Sequence, residues 1–275
     1  MDRFDDKVVV ITGGATGIGL ALGKALGGEG ARIVIGEPRA HRLAEAVSEL
    51  SFLGIDARQT VCDVRDPASV DALADFAWSE HGRVDVLINN AGISQPSTRL
   101  IDTPLATARD VMETNFFGVW HGGAVFGRRM IDQGTPAAIY NVASENALFT
   151  AVPRIATYVA SKHAVLGLSE AFREEVPDFI EVATIFPGFV STELIDPAFA
   201  PRGMDADRFA EIVLEQMKAG VRFIVSHAHN AARVAPRYEA LQQAFETYAP
   251  RYEGDEEYDV RHLIAALRRA SRQAE

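Results

Sequence analysis

The chain has 275 residues, 48% of them hydrophobic and 24% charged, the make-up of an ordinary globular protein with room for one large domain. Its 27 basic residues against 38 acidic ones give a net charge of −11, which argues against a nucleic-acid backbone as partner. The single cysteine, Cys62, excludes an internal disulfide framework, and no run reaches the ~20 apolar residues of a membrane span.

The leading segment, Met1–Lys7, lacks the apolar core of a signal peptide, so a cytoplasmic protein is expected. Lys7–Thr12 then reads as a strand that is apolar on both faces. It runs into Thr12-Gly13-Gly14-Ala15-Thr16-Gly17-Ile18-Gly19, after which a helix, Gly17–Gly28, begins. Gly13 permits a tight turn, Gly17 lets a pyrophosphate approach the backbone, and Gly19 lets helix and strand pack closely. The free N–H groups at the start of the helix, from Thr16 through Ile18, suit phosphate. The position between the first strand and the first helix gives this glycine pattern its weight as a dinucleotide site.

The next strand, Arg32–Ile35, leads to Gly36-Glu37. An acidic residue about 20 positions after the glycines accepts the ribose hydroxyls of NAD and repels the extra phosphate of NADP. Arg39, just beyond, is the opposing signal because an arginine there can clamp a 2′-phosphate. Glu37 also has a reading as a solvated loop carboxylate. The balance favours NAD.

Farther along, strands are expected at Ala57–Cys62, Val84–Asn89, Ala137–Val142, Glu181–Phe186 and Arg222–Ser226. Helices are expected at Arg39–Leu53, Pro67–His81, Leu105–Gln133 and Ala156–Val176, then from near Asp205, and in the chain running to Tyr248. Strand–helix alternation without a linker or repeat predicts one α/β domain over 1–275. Its core is a Rossmann-type doubly wound parallel sheet of about seven strands with helices on both faces. Two regions break the rhythm: 188–207, which reads as a lid, and 249–275, a charged C-terminal extension with a helix from about Glu256 to Arg272.

Tyr158-Val159-Ala160-Ser161-Lys162 places a phenol and an ammonium on one helix face, with Ser144 upstream. A nearby cation favours the phenolate, so Tyr158 could exchange a proton with an alcohol or carbonyl oxygen held by Ser144. Taken alone, such a short pattern arises by chance. Its context is what gives it meaning.

Together these motifs resemble the short-chain dehydrogenase/reductase family in its compact form, over about Lys7 to Thr192. The resemblance rests on the Thr12–Gly19 turn, Asp63-Val64, Asn89-Asn90-Ala91-Gly92, Asn115, the Ser144, Tyr158 and Lys162 set, and Pro187-Gly188-Phe189-Val190-Ser191-Thr192. It implies that Asp63 and Val64 hold adenine, and that Asn90, Ala91 and Gly92 line the cofactor groove. Pro187, Gly188, Val190 and Thr192 would close over nicotinamide. Lys162 would lower the Tyr158 pKa and bind the ribose, while Asn115 would hold a water beside Lys162. Asn115 also reads as a helix residue satisfying backbone groups at a bend.

The implied activity is hydride transfer between NAD(H) and a secondary alcohol or ketone, in a homodimer or homotetramer. A non-catalytic dinucleotide sensor on the same fold is the alternative. Glu145 and Asn146, after the serine, read either as polar substrate contacts or as an outward loop pair. Phe189 and Leu194 on the lid suggest a bulky or aromatic substrate. The C-terminal part is loosely similar to bacterial dehydrogenases of benzylic alcohols in aryl ethers. His227 and His229 have no partner at metal-ligand spacing, so no metal is expected.

Overall fold

The computed structural model describes residues 4–273. The chain divides into two compact units, Met1–Asn230 and Ala231–Glu275. The first contains a seven-stranded sheet in the order β3-β2-β1-β4-β5-β6-β7, with every neighbouring pair parallel. The strands are β1 (Val8–Thr12), β2 (Arg32–Glu37), β3 (Ala57–Val61), β4 (Val86–Asn89), β5 (Ala137–Val142), β6 (Ile180–Phe186) and β7 (Phe223–Val225). Around them lie α1 (Gly17–Gly28), α2 (Ala40–Phe52), α3 (Pro67–His81), α4 (Leu105–Met112), α5 (Gly118–Gln133), α6 (Ala156–Glu175) and α7 (Ala206–Lys218). This is a Rossmann-type α/β fold, as the alternation predicts.

Strand pleating explains the two helical layers. Val9 and Ile11 join Ile33, Ile35, Ile88 and Tyr140 on one face, packed on Leu22, Leu26, Leu50, Phe209 and Val213. Val8 and Val10 join Val34, Leu87, Ile139 and Val182 on the other, packed on Leu73, Phe126 and Met130. A central strand buried on both faces must be apolar at successive positions, which is the pattern read in the sequence. The edge strands are less regular. β3 turns Arg58 and Gln59 to solvent, and β7 leaves Phe223 and Val225 half-exposed.

Helix ends follow local chemistry. Asp66 caps α3 by accepting from Ala68 N, with Pro67 in the first turn, and Gly82 ends it in the left-handed region. Asp205 caps α7 through Arg208 N. The helix expected over Leu105–Gln133 is not continuous. A π-helical turn, Glu113–Phe117, separates α4 from α5, and the extra residue in that turn re-aims Asn115 into the body. Phe117 at the end of the π-helical turn and Trp120 of α5 are exposed.

The single domain read over 1–275 therefore differs from the structure, where the division falls between Asn230 and Ala231. The second unit consists of α8 (Ala231–Tyr248), a short 3₁₀ turn (Asp255–Tyr258) and α9 (Val260–Gln273). No side chain of α8 is buried, so its apolar residues join no core. The expected extension over 249–275 corresponds to its latter part, and residues 274 and 275 lie outside the described residues, as do 1–3 of the leading segment.

One polar network crosses the sheet below the groove. Asn89 of β4 donates to Asn141 Oδ1 of β5 at 2.8 Å, and Asn141 donates to Ser169 Oγ of α6 at 2.9 Å. Gly122 of α5 lies against the Asn89 amide, and a Cβ there would collide with it. Gly122→Ala should therefore lower stability by about 2 kcal/mol through overpacking. Urea unfolding checks this: a lower midpoint with an unchanged slope is expected, and an unchanged midpoint would contradict the packing argument.

Candidate active site

The strand order reverses between β1 and β4, and the carboxyl ends of the strands open there into a groove. This cavity has a volume of about 600 Å³. Its walls include Gly13, Thr16, Gly17 and Ile18 from the first turn, Glu37 and Arg39 after β2, and Asp63 and Val64 after β3. Asn90, Ala91 and Gly92 follow from β4, Ser144 from β5, Tyr158 and Lys162 from α6, and Pro187, Gly188, Val190, Thr192 and Leu194 from the segment after β6. Residues scattered over 180 positions thus meet because each follows a parallel strand.

The glycine turn forms a cradle without room for side chains. Gly13 and Gly17 have φ of 61° and 53°, in the left-handed region that favours glycine. A Cβ on Gly13 would stand 2.8 Å from Ala91 Cα, and one on Gly17 would stand 3.0 Å from the Thr192 methyl. Gly19 is buried in α1 and closes helix against turn, where a Cβ would meet the Gly13 carbonyl. Thr16 caps α1 without a side-chain bond, so the first amides of the helix keep their donors for an anion. Asn90 braces the turn by donating from Nδ2 to Thr12 O and Gly13 O at 3.1 and 2.8 Å. Thr12 Oγ1 in return accepts from the amides of Asn90 and Ala91. This geometry fits a dinucleotide.

At the adenosine end, Glu37 is 4% exposed and holds Arg39 Nε at 2.6 Å. That excludes the solvated reading of Glu37. Asp63 forms a two-pronged ion pair with Arg65, which holds its carboxyl below the usual range.

At the other end, the Ser144, Tyr158 and Lys162 side chains converge. Ser144 Oγ accepts from Asn146 N at 3.1 Å and Asn146 Nδ2 at 3.4 Å. With its acceptor positions occupied, the hydroxyl has one proton to give outward. Lys162 is 4% exposed, donates to Val142 O at 2.9 Å, and lies 5.7 Å from the centre of the Tyr158 ring. Burial pushes its pKa from 10.5 down to about 8. Burial raises the Tyr158 phenol, a hydrogen bond with Ser144 lowers it, and the Glu145 carboxylate raises it further. The net direction for the Tyr158 phenol is upward, with burial the largest cause.

Asn115 in the π-helical turn is fully buried. It accepts from Ile93 N at 2.8 Å and donates to Ile93 O at 3.0 Å and Ser161 Oγ at 3.1 Å. It does satisfy backbone groups at a bend, and its Oδ1 also faces Lys162 Nζ across Gly92. A Cβ on Gly92 would lie 3.3 and 3.5 Å from those two atoms.

The four substrate candidates separate. Leu194 lines the groove, whereas Glu145, Asn146 and Phe189 do not. Asn146 is buried, accepting from Ala151 N and Val152 N and holding Ser144. Glu145 accepts from Asn230 Nδ2 at 2.7 Å. Phe189 contributes its carbonyl to Met204 N at 2.8 Å, part of a short parallel bridge between Val190 and Met204 that ties the segment after β6 to the start of α7.

Sequence reasoning missed Gln95. Its Oε1 accepts from Thr157 N and Tyr158 N at 3.0 and 3.2 Å, capping α6 where Ile155 provides no cap. A partner 62 residues away leaves no local signature. Ser161 was quoted only as a spacer, yet it links Tyr158 O to Asn115.

Comparison with known proteins agrees with this geometry. The family model described as short chain dehydrogenase matches residues 7–202. The chain belongs to the short-chain dehydrogenase/reductase family. One relative is 1-deoxy-11-beta-hydroxypentalenate dehydrogenase of Streptomyces avermitilis, 33% identical over 86% of this chain and 90% of that protein. Another is D-threitol dehydrogenase of Mycolicibacterium smegmatis, 36% identical over 73% of this chain and 77% of that one. Among solved structures, a family member from Burkholderia phymatum in complex with NAD superposes with a TM-score of 0.82 at 28% identity, covering 88% of this chain and 96% of that one. LigO in its apo form, from Sphingobium sp. strain SYK-6, matches 98% of both chains with a TM-score of 0.82 at 27% identity. The family membership makes the protein an oxidoreductase that uses a nicotinamide dinucleotide. Among the described residues, no helix is long and apolar enough to cross a membrane.

The buried Lys162 carries a testable stability signature. Its folded pKa lies below the free value, so the unfolded chain binds more protons between about pH 8 and 10.5. The destabilisation is therefore full below about pH 8 and fades as pH rises toward 10.5. Lys162→Met should stabilise the fold at neutral pH by on the order of 2 kcal/mol, after loss of the Val142 hydrogen bond. Thermal unfolding at neutral and strongly alkaline pH checks this. A variant no more stable at neutral pH, or one whose gain does not shrink on alkalisation, would contradict it.

Proposed function

We propose that the protein transfers hydride between NAD(H) and a secondary alcohol or its ketone, with Tyr158 as the general acid/base. The observation that carries this reading is the convergence of Ser144, Tyr158 and Lys162 in one groove with the glycine cradle. When bound, the dinucleotide supplies the hydride acceptor or donor, and the chain supplies binding, orientation and proton transfer. Gly13, Thr16, Gly17, Ile18 and Gly19 would hold the pyrophosphate, and Asp63 and Val64 the adenine. Glu37 would take the ribose hydroxyls, which favours NAD over NADP. Asn90, Ala91, Gly92, Pro187, Gly188, Val190 and Thr192 would bound the nicotinamide end.

Ser144 donates its free proton to the substrate oxygen and steadies charge developing there. In oxidation Tyr158 takes the hydroxyl proton, and in reduction it returns one. Burial makes the phenolate expensive, so with the Ser144 proton on the substrate its formation depends on the Lys162 ammonium. Asn115 positions the pocket beside Lys162, where the missing side chain of Gly92 leaves space for a water to relay the proton. Asn146 positions Ser144 rather than the substrate. Ile93, Leu194 and Ile195 line the groove, which supports a bulky apolar or aromatic alcohol over a sugar.

A dinucleotide sensor would use the same cradle, but would not need a serine hydroxyl oriented toward a tyrosine and a lysine. Tyr158→Phe separates the two readings. Turnover with secondary alcohols should fall by about three orders of magnitude, while NADH binding, followed by fluorescence titration, persists. Undiminished turnover in this variant would overturn the role of Tyr158.

A further inference from the structure

The lid carries an acidic residue, Glu193, directly after Thr192. Its carboxylate reaches back across the groove to the far end. Glu193 Oε2 accepts from Arg39 Nη1 at 3.0 Å, and Oε1 pairs with Arg42 Nη2. Arg39 flanks the start of α2 and Arg42 lies in its first turn. Arg39 is also held by Glu37, and Arg42 by Glu45 at 2.9 Å. Arg42 Nε is buried and makes no hydrogen bond, so this pair retains an unused donor. Two guanidinium groups at an uncapped helix start, of which Arg39 lines the groove next to Glu37, are the chemistry of a phosphomonoester site. Here acidic side chains occupy it, and one of them belongs to the lid.

We propose that Glu193 sets dinucleotide specificity by occupying Arg39 and Arg42, so that a 2′-phosphate must displace the lid carboxylate to reach them. The inference deepens the NAD-dependent reading above and rests on it. Glu37 discriminates by repulsion at the ribose itself. Glu193 discriminates by competition, and it couples the adenosine end to the nicotinamide end. NAD leaves the Glu193 latch closed, with Thr192 seated against Gly17. NADP binding opens the latch and gives up lid contacts, so selectivity arises from lid closure as well as from ribose recognition.

All three latch residues are partly exposed, at 43% for Glu193, 44% for Arg39 and 36% for Arg42. Pairs of this kind shift an equilibrium by up to about fivefold each, and less at high salt. The test is calorimetric titration of NADH and NADPH into the unaltered chain, Glu193→Gln, the pair Arg39→Gln with Arg42→Gln, and the triple variant. Glu193→Gln should move the affinity ratio toward NADPH by about fivefold at low salt. The same change in the background lacking both arginines should leave the ratio where that background puts it. An unchanged ratio in Glu193→Gln, or an equal shift without the arginines, would overturn this inference while leaving dinucleotide binding intact. Failure of both nucleotides to bind the unaltered chain would overturn the dinucleotide reading and this inference together.

Discussion

A lysine ammonium buried at the carboxyl end of β5 is the constraint around which the site is organised. Desolvating a cation is unfavourable unless its protons are engaged, and the Val142 carbonyl takes one of them. Lys162 also lines the groove, where its Nζ and Asn115 Oδ1 both flank Gly92. Keeping the ammonium in place requires that α6 not slide. Gln95 caps its first turn, Ser161 ties it to the π-helical turn through Asn115, and Ser169 ties its middle to Asn141 and so to β4. The site therefore depends on hydrogen bonds that cross between elements far apart in sequence.

Much of the fold was legible because burial leaves a periodic trace. Val8–Ile11 could be read as a central strand since every position is buried, and Pro67 with Asp66 marked the start of α3. The glycine cradle was legible for a steric reason, because no other residue fits where Gly13 meets Ala91 and Gly17 meets Thr192. The π-helical turn was not legible. Helical periodicity over Leu105–Gln133 is too even to reveal one added residue, although a buried polar residue in mid-helix at Asn115 was its trace. The boundary after Asn230 was equally hidden, since α8 has ordinary helical composition and only its lack of burial sets it apart. Gln95 and Glu193 act on partners 62 and 154 residues away, and pattern along the chain carries no record of such pairings. Glu145 and Asn146 stood out by type, and the sequence left open whether they face the substrate or the loop. A polar pair beside a catalytic serine can serve the loop as readily as the ligand.

The electrostatics of the groove differ at its two ends. Around the serine, a buried cation lies beside a partly buried phenol, and each is shifted from its free value. Around Arg39 the charges are paired, with Glu37 buried and Arg39, Arg42 and Glu193 partly exposed. The lid touches both ends, through Thr192 at the cradle and Glu193 at the arginines. Relatives that act on a pentalenate derivative or on D-threitol share this fold at 33% and 36% identity, so fold alone does not name the substrate. The groove of this chain is lined in part by the apolar groups of Ile93, Leu194 and Ile195.

The central claim, that the groove transfers hydride rather than merely holding a nucleotide, is tested most directly by isotope transfer. Benzylic and cyclic secondary alcohols carrying deuterium at the carbinol carbon would be incubated with the protein and NAD, and the nucleotide recovered for mass spectrometry. The account predicts deuterium in the reduced nicotinamide, with the matching ketone formed in equal amount. Nucleotide that binds the protein yet returns unreduced and unlabelled across the alcohol series would contradict it.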